Sequence, residues 1–447
     1  MLKLKPNQKV LSEDGQREFT VDCLIHTGSG QGDIYKVHAG KDVYAMKLFH
    51  TGKVKRIRRQ IENLRRRGKA SSAFVHPLYI VKVGEAIGYV MEYVSDDLYD
   101  DGSILFNGIE VDDGQGNIIR MELPFNQKIA IMYNIAEAIK ILYEADIALM
   151  DLKFENIKIN KYDMSVKILD TDTAVGGRTK PIVSGTIGFM PPLTMRGEEV
   201  PNKYNDSFAF GSMVGITFWG GHPLIGRKYE EPCTTDIDTY TFATNPIYIF
   251  NRNDPSNRPL DSNKRMIERM KKYPQYFVDA MHQTFVDGLY DGKKRVDPRE
   301  WQEILVRLYN DHYLCKHCGE EHFFGGTSKH CNVCGALLEP PIKLVCDKNS
   351  APGVHLFNGA ELWSSELWGD QSNYQLFKVV VSDYDKKYGL LCTGAQSVTA
   401  ELKNGQCREF QRGETIPIFM DAVLKVGKYS LKFIGCLLYK SDAADEL

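Results

Sequence analysis

Two stretches constrain this chain more than any other part of its sequence: Met150 to Asn156, and Val166 to Asp170. Asp151 can accept a proton, an asparagine follows it five residues later, and a second aspartate ends an apolar run. Carboxylates and an amide at this spacing can hold divalent cations and aim a hydroxyl group. Phosphoryl transfer needs little more than that positioning and charge. The two stretches therefore predict a phosphoryl-transfer site.

Residues near these stretches and earlier in the chain supply further groups for such a site. A cluster of small residues lies between two predicted strands: Gly28, Ser29, Gly30 and Gly32. Glycine lets backbone amides approach phosphates, and an ordinary glycine turn is the alternative.

Lys47 follows on the next strand, where an inward-facing lysine can hold phosphate oxygens. We expect Glu62 to pair with Lys47; the alternative is a pair with a nearby arginine of its own helix. Lys153 can neutralise charge on the moving phosphoryl group.

Hydrophobic periodicity divides the chain into parts. Short strands up to residue 94 precede helical spacing at 126–145 and an almost wholly apolar run at 206–219. A Cys-, His- and Gly-rich stretch then leads into further short strands. The sequence thus predicts an α+β fold with four parts: a strand-rich lobe at 1–94, a helical lobe at 95–312, a cysteine module at 313–340 and a small β-rich domain at 345–447.

Composition and charge limit the expected partners. The net charge of −2 gives no overall field that would attract nucleic acid or a membrane surface. We find no signal peptide at the start and no apolar run of membrane-spanning length. Four of the ten cysteines fall in two C-x-x-C pairs and the other six are scattered. That distribution suits a reducing cytoplasm better than a disulfide framework, so we expect a cytoplasmic protein.

With these motifs in place, residues 18 to 310 resemble a eukaryotic-type protein kinase domain. Three further features match it: Gly185 to Pro192 is similar to the end of an activation segment, Asp206 and Gly211 to the buried helix that follows, and Arg295 to a late arginine. The resemblance implies a bilobal fold and transfer of the γ-phosphoryl group of ATP to a Ser or Thr hydroxyl of a protein substrate.

The resemblance also assigns roles to residues. The implied catalytic residues are Asp151, Lys153, Asn156, Lys47 and Glu62. The implied nucleotide-binding residues are Gly28, Ser29, Gly30, Gly32, Ile34, Ala45, Lys47, Glu92, Val94, Asn156 and Asp170. Asn156 and Asp170 would hold Mg²⁺ or Mn²⁺.

The chain departs from the usual kinase pattern at several positions. Leu149-Met150 stands where a His-Arg pair usually precedes the catalytic aspartate, which removes the cation that normally pairs with a phosphorylated activation loop. Asp170-Thr171-Asp172 replaces Asp-Phe-Gly, and Pro191-Pro192-Leu193 replaces Ala-Pro-Glu. The alternative function is a pseudokinase scaffold that binds nucleotide and partner proteins without catalysis.

These departures are similar to those of one bacterial Ser/Thr kinase subfamily. The shared features are Asp-Thr-Asp, Gly-Phe-Met-Pro-Pro, the insertion from Asn245 to Pro259 and a following Cys₄ knuckle. Members of that subfamily occur in tellurite-resistance-type stress loci. The resemblance implies a von Willebrand A protein and a metal-dependent protein phosphatase as partners.

The cysteine pairs form a C-x₂-C-x₁₂-C-x₂-C pattern of Cys315, Cys318, Cys331 and Cys334. Two such turns close a tetrahedron of thiolates around Zn²⁺, and four ligands leave no open position, so we expect a structural zinc ribbon. We expect His317, His322 and His330 at the surface. A nucleic-acid-binding ribbon is a third alternative, and no basic cluster supports it.

Two regions allow a plain and a sharper interpretation. Residues 345 to 447 resemble small forkhead-associated-like β-sandwich domains, although no phosphothreonine-binding loop is evident, so a docking or packing module is the plainer interpretation. The segment 53–69 is predicted to be a strongly basic helix around Glu62. A solvated helix face is the plainer interpretation there, and a docking site for an acidic partner is the sharper one.

Overall fold

The computed structural model describes a defined set of residues: 3–27, 32–49, 58, 62, 71–112, 114, 117–171, 174–176, 185–230, 236–260, 263–326, 328–338, 340–347, 353–356, 359–369, 374–382, 387–401, 405–418 and 422–434. The chain forms two compact units. Unit 1 is Met1–Ile267 with Asp279–Gln302, and unit 2 is Glu268–Val278 with Glu303–Leu447. The finer division into four parts stays a prediction.

Unit 1 begins with an antiparallel sheet of six strands, β1 to β6: Lys9–Leu11, Glu18–Thr27, Gly32–Ala39, Asp42–Phe49, Tyr79–Val83 and Ala86–Glu92. Their order in space is β1-β2-β3-β4-β6-β5. Side chains alternate between the two faces of a strand. In β4, Met46 and Leu48 therefore join the core around Phe19, while Ala45 and Lys47 face the other side of the sheet.

Seven short strands follow, β7 to β13: Tyr99–Asp101, Ile109–Asp112, Ile118–Met121, Ile147–Ala148, Ile157–Asn160, Val166–Ile168 and Val175–Gly176. They form the sheets β12-β11-β7, β10-β13 and β8-β9. The pairing of β11 with β12 sets Ile157 opposite Ile168. That register brings together the ends of the two stretches that carry Asn156 and Asp170.

Helices lie between these short strands and continue after them as far as residue 311. The α-helices are Ile104–Asn107, Phe125–Glu144, Pro192–Met195, Tyr204–Trp219, Ile237–Thr239, Lys264–Lys272, Gln275–His282 and Pro298–Asp311. Single turns of 3₁₀-helix span Phe154–Asn156, Arg227–Tyr229, Pro255–Asn257 and Gly292–Lys294, and π-helical turns span Tyr240–Thr244 and Gln283–Asp287.

The two helices expected from periodicity are confirmed, with ends that differ by two residues at most. Phe125–Glu144 buries its stripe of Met132, Ile135 and Ile139. Tyr204–Trp219 is buried on nearly every side, as its continuous apolar run predicts. The mixed α+β fold is confirmed for unit 1.

Unit 2 carries a small two-stranded sheet and a larger β structure. His312–Leu314 (β14) pairs with Glu321–Phe323 (β15) beside the cysteine pairs. Ten more strands, β16 to β25, are Lys343–Cys346, Val354–His355, Glu361–Trp363, Gln375–Val381, Tyr388–Cys392, Val398–Glu401, Cys407–Phe410, Thr415–Pro417, Val423–Val426 and Tyr429–Ile434. One α-helix, Ser364–Trp368, follows β18.

These ten strands make two sheets that share one core. The larger has the order β17-β16-β25-β24-β21-β22 and the smaller β18-β19-β20-β23. Leu344 and Leu431 from the larger sheet pack in one cluster with Phe377 and Leu390 from the smaller. The β-rich character expected for this region is observed. The short apolar runs at 377–382, 389–393, 398–403, 423–426 and 430–434 predict five of these strands. The sequence did not predict the other five, among them edge strand β22, in which three of four residues are exposed and do not alternate.

Among the residues that the structure describes, no helix combines the length and apolar character needed to cross a membrane.

Candidate active site and cysteine cluster

Lys47 and Asp170 form an ion pair inside unit 1. Lys47 Nζ lies 3.0 Å from Asp170 Oδ1, and the lysine is only 3 % exposed. Strand β4 supplies the cation, and the residues after β12 supply the carboxylate.

Glu62 is helical and half-buried, but its neighbours on both sides lie outside the described residues. Its pairing with Lys47 stays a prediction.

Asp151 is the centre of a hydrogen-bonded group of four side chains. Thr186 Oγ1 donates to Asp151 Oδ1 at 2.6 Å, and Asn156 Nδ2 donates to Asp151 Oδ2 at 3.1 Å. Lys153 Nζ lies 3.1 Å from Asp151 Oδ2 and donates to Thr186 Oγ1 at 2.8 Å. Both carboxylate oxygens therefore receive donors, which hold the group in one orientation. Sequence reasoning did not assign a role to Thr186.

A buried aspartate positions the start of this loop. Asp206, on the helix Tyr204–Trp219, accepts the Leu149 N–H at 2.8 Å and also a bond from the Met150 N–H. Burial raises the pKa of Asp206 to about 7, and the two N–H groups oppose that rise. Leu149 and Met150 are themselves buried apolar residues. Met150, which stands where kinases usually have an arginine, is thus a buried apolar residue.

Gly185 brings Thr186 close to Asp151. A Cβ atom at Gly185 would lie 2.2 Å from the Met150 carbonyl oxygen, far inside contact distance. Met150 itself has a φ of 71°, a conformation that few residues other than glycine adopt. Close backbone approach at Gly185 is therefore a condition for the Thr186–Asp151 bond.

Asn156 and Asp170 offer oxygen ligands at adjoining positions. The Leu169 N–H donates to the Asn156 carbonyl oxygen at 2.8 Å, which ties the residue before Asp170 to Asn156. Because the Asn156 amide nitrogen donates to Asp151, the amide oxygen is the atom left for a cation. Carboxylate and amide oxygens are the donors that Mg²⁺ and Mn²⁺ prefer. The donor set therefore fits the divalent cation expected from the sequence.

Apolar residues on one face of the first sheet could receive the base of a nucleotide. Ala45 and Met91 are buried in one cluster, and three half-buried residues pack against it: Ile34, Val94 and Leu169. Sequence reasoning named Ile34, Ala45 and Val94 but missed Met91. The sequence could have indicated Met91, because it lies in an apolar strand directly before Glu92. The Glu92 carboxylate is bonded to Lys167 Nζ at 2.8 Å, so its side chain is already engaged.

The glycine cluster is described only at its end. Gly28, Ser29 and Gly30 lie outside the described residues, as does Asp172. Gly32 begins β3, and a Cβ there would lie 2.3 Å from the Leu48 carbonyl oxygen. The pairing of β3 with β4 therefore requires a glycine at this position, whatever the phosphate-binding role of its neighbours.

Arg295 is bonded to backbone rather than to the carboxylate that the family usually has. It donates to three carbonyl oxygens: Gly288 at 2.7 Å, Tyr204 at 2.8 Å and Leu289 at 3.2 Å. Burial lowers the pKa of its guanidinium to about 10. The arginine thus links the end of unit 1 to the start of the buried helix.

In unit 2 the four paired cysteines come together. Their sulfur atoms all lie within 4.8 Å of one another, with 3.8 Å between Cys315 and Cys334 and 3.6 Å between Cys318 and Cys331. A tetrahedron with metal–sulfur distances of about 2.3 Å has edges of about 3.8 Å. The set therefore fits Zn²⁺.

One expectation beside this cluster is wrong. His322 was placed at the surface, yet it is only 3 % exposed. It lies on β15 opposite Tyr313, and the centroids of the two rings are 6.0 Å apart. His317 and His330 are exposed, as expected.

Comparisons with known proteins agree with the candidate active site in unit 1. The family model described as "Protein kinase domain" matches residues 24–290, more than half of the chain. A search of curated proteins found no match. The matched span contains Lys47, Asp151, Asn156 and Asp170, and this chain therefore belongs to the protein kinase family.

Proposed function

We propose that this protein is an active, ATP-dependent kinase that phosphorylates serine and threonine residues of proteins. The observation that carries the proposal is the group around Asp151, in which Thr186, Asn156 and Lys153 all contact one carboxylate. A scaffold that only binds partners does not need a lysine, an amide and a hydroxyl around one carboxylate, whereas a catalytic base does.

Each residue has a separate task in the proposed transfer. Asp151 accepts the proton of the attacking hydroxyl, and Lys153 offsets negative charge that develops beside it. Lys47, held by Asp170, supplies a buried cation for phosphate oxygens. Asn156 and Asp170 would hold Mg²⁺, which neutralises phosphate charge when bound. Positioning and charge account for most of the catalysis of this reaction. The departures from the usual kinase pattern leave these charged residues in place, so phosphoryl transfer is still possible.

A specific contact favours aliphatic hydroxyl substrates. Thr186 already places an aliphatic hydroxyl 2.6 Å from Asp151 Oδ1, within reach of Lys153. A serine or threonine hydroxyl is the same chemical group and can approach the carboxylate with the same geometry. This supports Ser/Thr rather than Tyr specificity.

The test is transfer of radiolabel from ATP to a protein acceptor in the presence of Mg²⁺. Asp151→Ala should lose about 10²- to 10⁴-fold in rate, the usual contribution of a general base. Asp163→Ala, which removes a carboxylate from an exposed turn after β11, is the matched control and should keep the wild-type rate. Equal label in wild type and Asp151→Ala would instead support the pseudokinase scaffold.

The setting of the kinase is proposed from the resemblance alone. It includes a bacterial stress locus, a cytoplasmic location, a von Willebrand A protein and a metal-dependent phosphatase as partners. A structural Zn²⁺ in the Cys₄ ribbon and a forkhead-associated-like sandwich complete the proposal. Co-purification from native extract tests the partners, and an extract that yields neither protein would count against this setting.

A further inference from the structure

Thr171, the residue directly after Asp170, makes a buried hydrogen bond. Its hydroxyl donates to the Val75 carbonyl oxygen at 2.9 Å, and the residue is only 4 % exposed. Burial keeps this hydroxyl away from solvent, so it is not available for modification. Its role must be sought in the contact that it makes.

The bond belongs to a set that joins residues 72–75 to the strand leading to Asp170. The Ile168 N–H donates to the Ala73 carbonyl oxygen at 2.7 Å, and the Val75 N–H donates to the Ile168 carbonyl oxygen at 3.0 Å. Lys167 Nζ donates to the Ser72 carbonyl oxygen at 2.9 Å. The two segments therefore run side by side, and Thr171 makes the last bond of the set.

Asp170 needs such support. Its φ of 51° is a left-handed conformation that costs free energy for a residue with a Cβ. The conformation persists only where its neighbours hold it. On one side the Leu169 N–H bonds to Asn156, and on the other side Thr171 bonds to Val75.

We infer that Thr171 is a positioning residue that fixes Asp170 for the divalent cation through its hydroxyl bond to Val75. The inference rests on the proposed function, because it concerns the cation that accompanies ATP. Where the family usually has an apolar ring followed by glycine, this chain has a hydroxyl with one directed partner. The aspartate is thereby held in place before any cation arrives, so cation binding requires less ordering.

The test is a Mg²⁺ titration of the binding of a fluorescent ATP analogue to the full chain. Thr171→Val keeps the shape but removes the hydroxyl, and it should raise the half-saturating Mg²⁺ concentration about fivefold, the effect of one lost hydrogen bond. Thr171→Ser keeps the hydroxyl and should stay near wild type. Thr217→Val is the matched control, since Thr217 is a buried threonine whose hydroxyl donates to the sulfur of Met132 at 3.8 Å. It should lower the melting temperature without moving the Mg²⁺ midpoint.

A folded Thr171→Val protein with the wild-type midpoint would overturn the inference. If that variant does not accumulate, Thr171→Ala removes the same hydroxyl with a smaller side chain, and it should also raise the midpoint about fivefold. An unchanged midpoint there would also overturn the inference. A wild type that binds the analogue with Mg²⁺ but transfers no phosphate would refute only the proposed function. A wild type without Mg²⁺-dependent binding would refute both.

Discussion

The proposed catalytic loop of unit 1 and the cysteine knuckles of unit 2 are both irregular segments, yet different contacts surround them. The loop from Leu149 to Asn156 is anchored by the buried carboxylate of Asp206 and by the close approach of Gly185. The knuckles repeat one small motif: the Gly319 N–H bonds to the Cys315 carbonyl oxygen at 2.8 Å, and the Gly335 N–H to the Cys331 carbonyl oxygen at 2.8 Å.

The surroundings of the two segments differ accordingly. Leu149, Met150 and Leu152 are buried in unit 1. In the knuckles Cys318 and Cys334 are exposed, and the local core consists of Cys315, Cys331 and Leu338 with Tyr313 against it. A core that small cannot offset the conformational entropy of the segment. We therefore expect packing to hold the catalytic loop and a metal to hold the knuckles.

The largest predicted effect is on the knuckles. Structural Zn²⁺ in such motifs contributes about 10–16 kcal/mol of binding free energy, which is also folding free energy of the segment. Chelation, or Cys331→Ser, should release about one zinc per chain and expose residues 315–334 to proteases. Metal analysis and limited proteolysis measure both.

Cys407→Ser is the control for that experiment, because Cys407 is an exposed cysteine outside the cluster. It should keep the metal and the protease resistance. If the knuckles of the metal-free protein stay protease-resistant, packing alone holds them. The proposed difference between the knuckles and the loop from Leu149 to Asn156 would then be wrong.

The next largest effect is expected at Asp206. Asp206→Ala leaves the Leu149 and Met150 N–H groups without their acceptor, and buried unpaired groups cost about 1–3 kcal/mol each. We expect unit 1 to lose about 3 kcal/mol of unfolding free energy, measured by denaturant titration. Asp206→Asn retains an acceptor oxygen and removes a buried acid, so it should lose much less. Equal losses in the two variants would argue against the hydrogen bonds as the anchor.

Gly185→Ala should act on rate more than on stability. The added Cβ would meet the Met150 carbonyl oxygen at 2.2 Å, so Thr186 must move away from Asp151. A displacement of about 1 Å at a reacting group lowers rates by about 10²-fold. Gly197→Ala is the matched control: nothing lies within 4 Å of its Cβ, and only its left-handed backbone is strained. A Gly185→Ala enzyme as fast as the Gly197→Ala enzyme would show that the loop tolerates this shift.

The comparison also explains which features were predictable from the sequence. The cysteine set follows from local spacing, because each C-x-x-C pair forms its own turn. Asp151, Asn156 and Asp170 were found in the same way, from their order along the chain. The bond from Thr171 to Val75 could not be found like this, because it joins positions 96 residues apart. Nor could the burial of His322, which depends on its pairing with Tyr313.

The same limit applies to contacts within the candidate active site. Lys47 was identified as a buried cation, but its contact with Asp170 spans 123 positions and depends on how β4 meets the end of β12. Sequence patterns record which face of a strand a residue occupies, and they do not record what lies opposite that face. The fold class and most of the candidate site residues could therefore be named, whereas the contacts that position them had to come from tertiary structure.

The smallest predicted effect concerns pH and the segment after Thr186. His222 is buried; its Nε2 lies 2.7 Å from the Gly188 carbonyl oxygen and its Nδ1 accepts the Leu224 N–H at 3.1 Å. Burial lowers the pKa of His222 to about 4 from an ordinary value of 6.5. Because the folded pKa lies below the unfolded one, its stabilising contribution is present above pH 6.5 and is lost as the pH falls toward 4.

We expect the unfolding free energy of unit 1 to fall by about 2 kcal/mol between pH 7 and pH 5 through His222 alone. His222→Gln can still donate to Gly188 but does not titrate, so the difference between wild type and variant should shrink across this range. His26→Gln, at an exposed histidine on β2, is the matched control. Denaturant titrations at several pH values measure these differences, and a wild-type-minus-variant difference that is constant with pH would contradict the prediction. Such a result would mean that His222 can be protonated in the folded protein at little cost. The side chains around His222 would then be packed less tightly than those around the loop from Leu149 to Asn156.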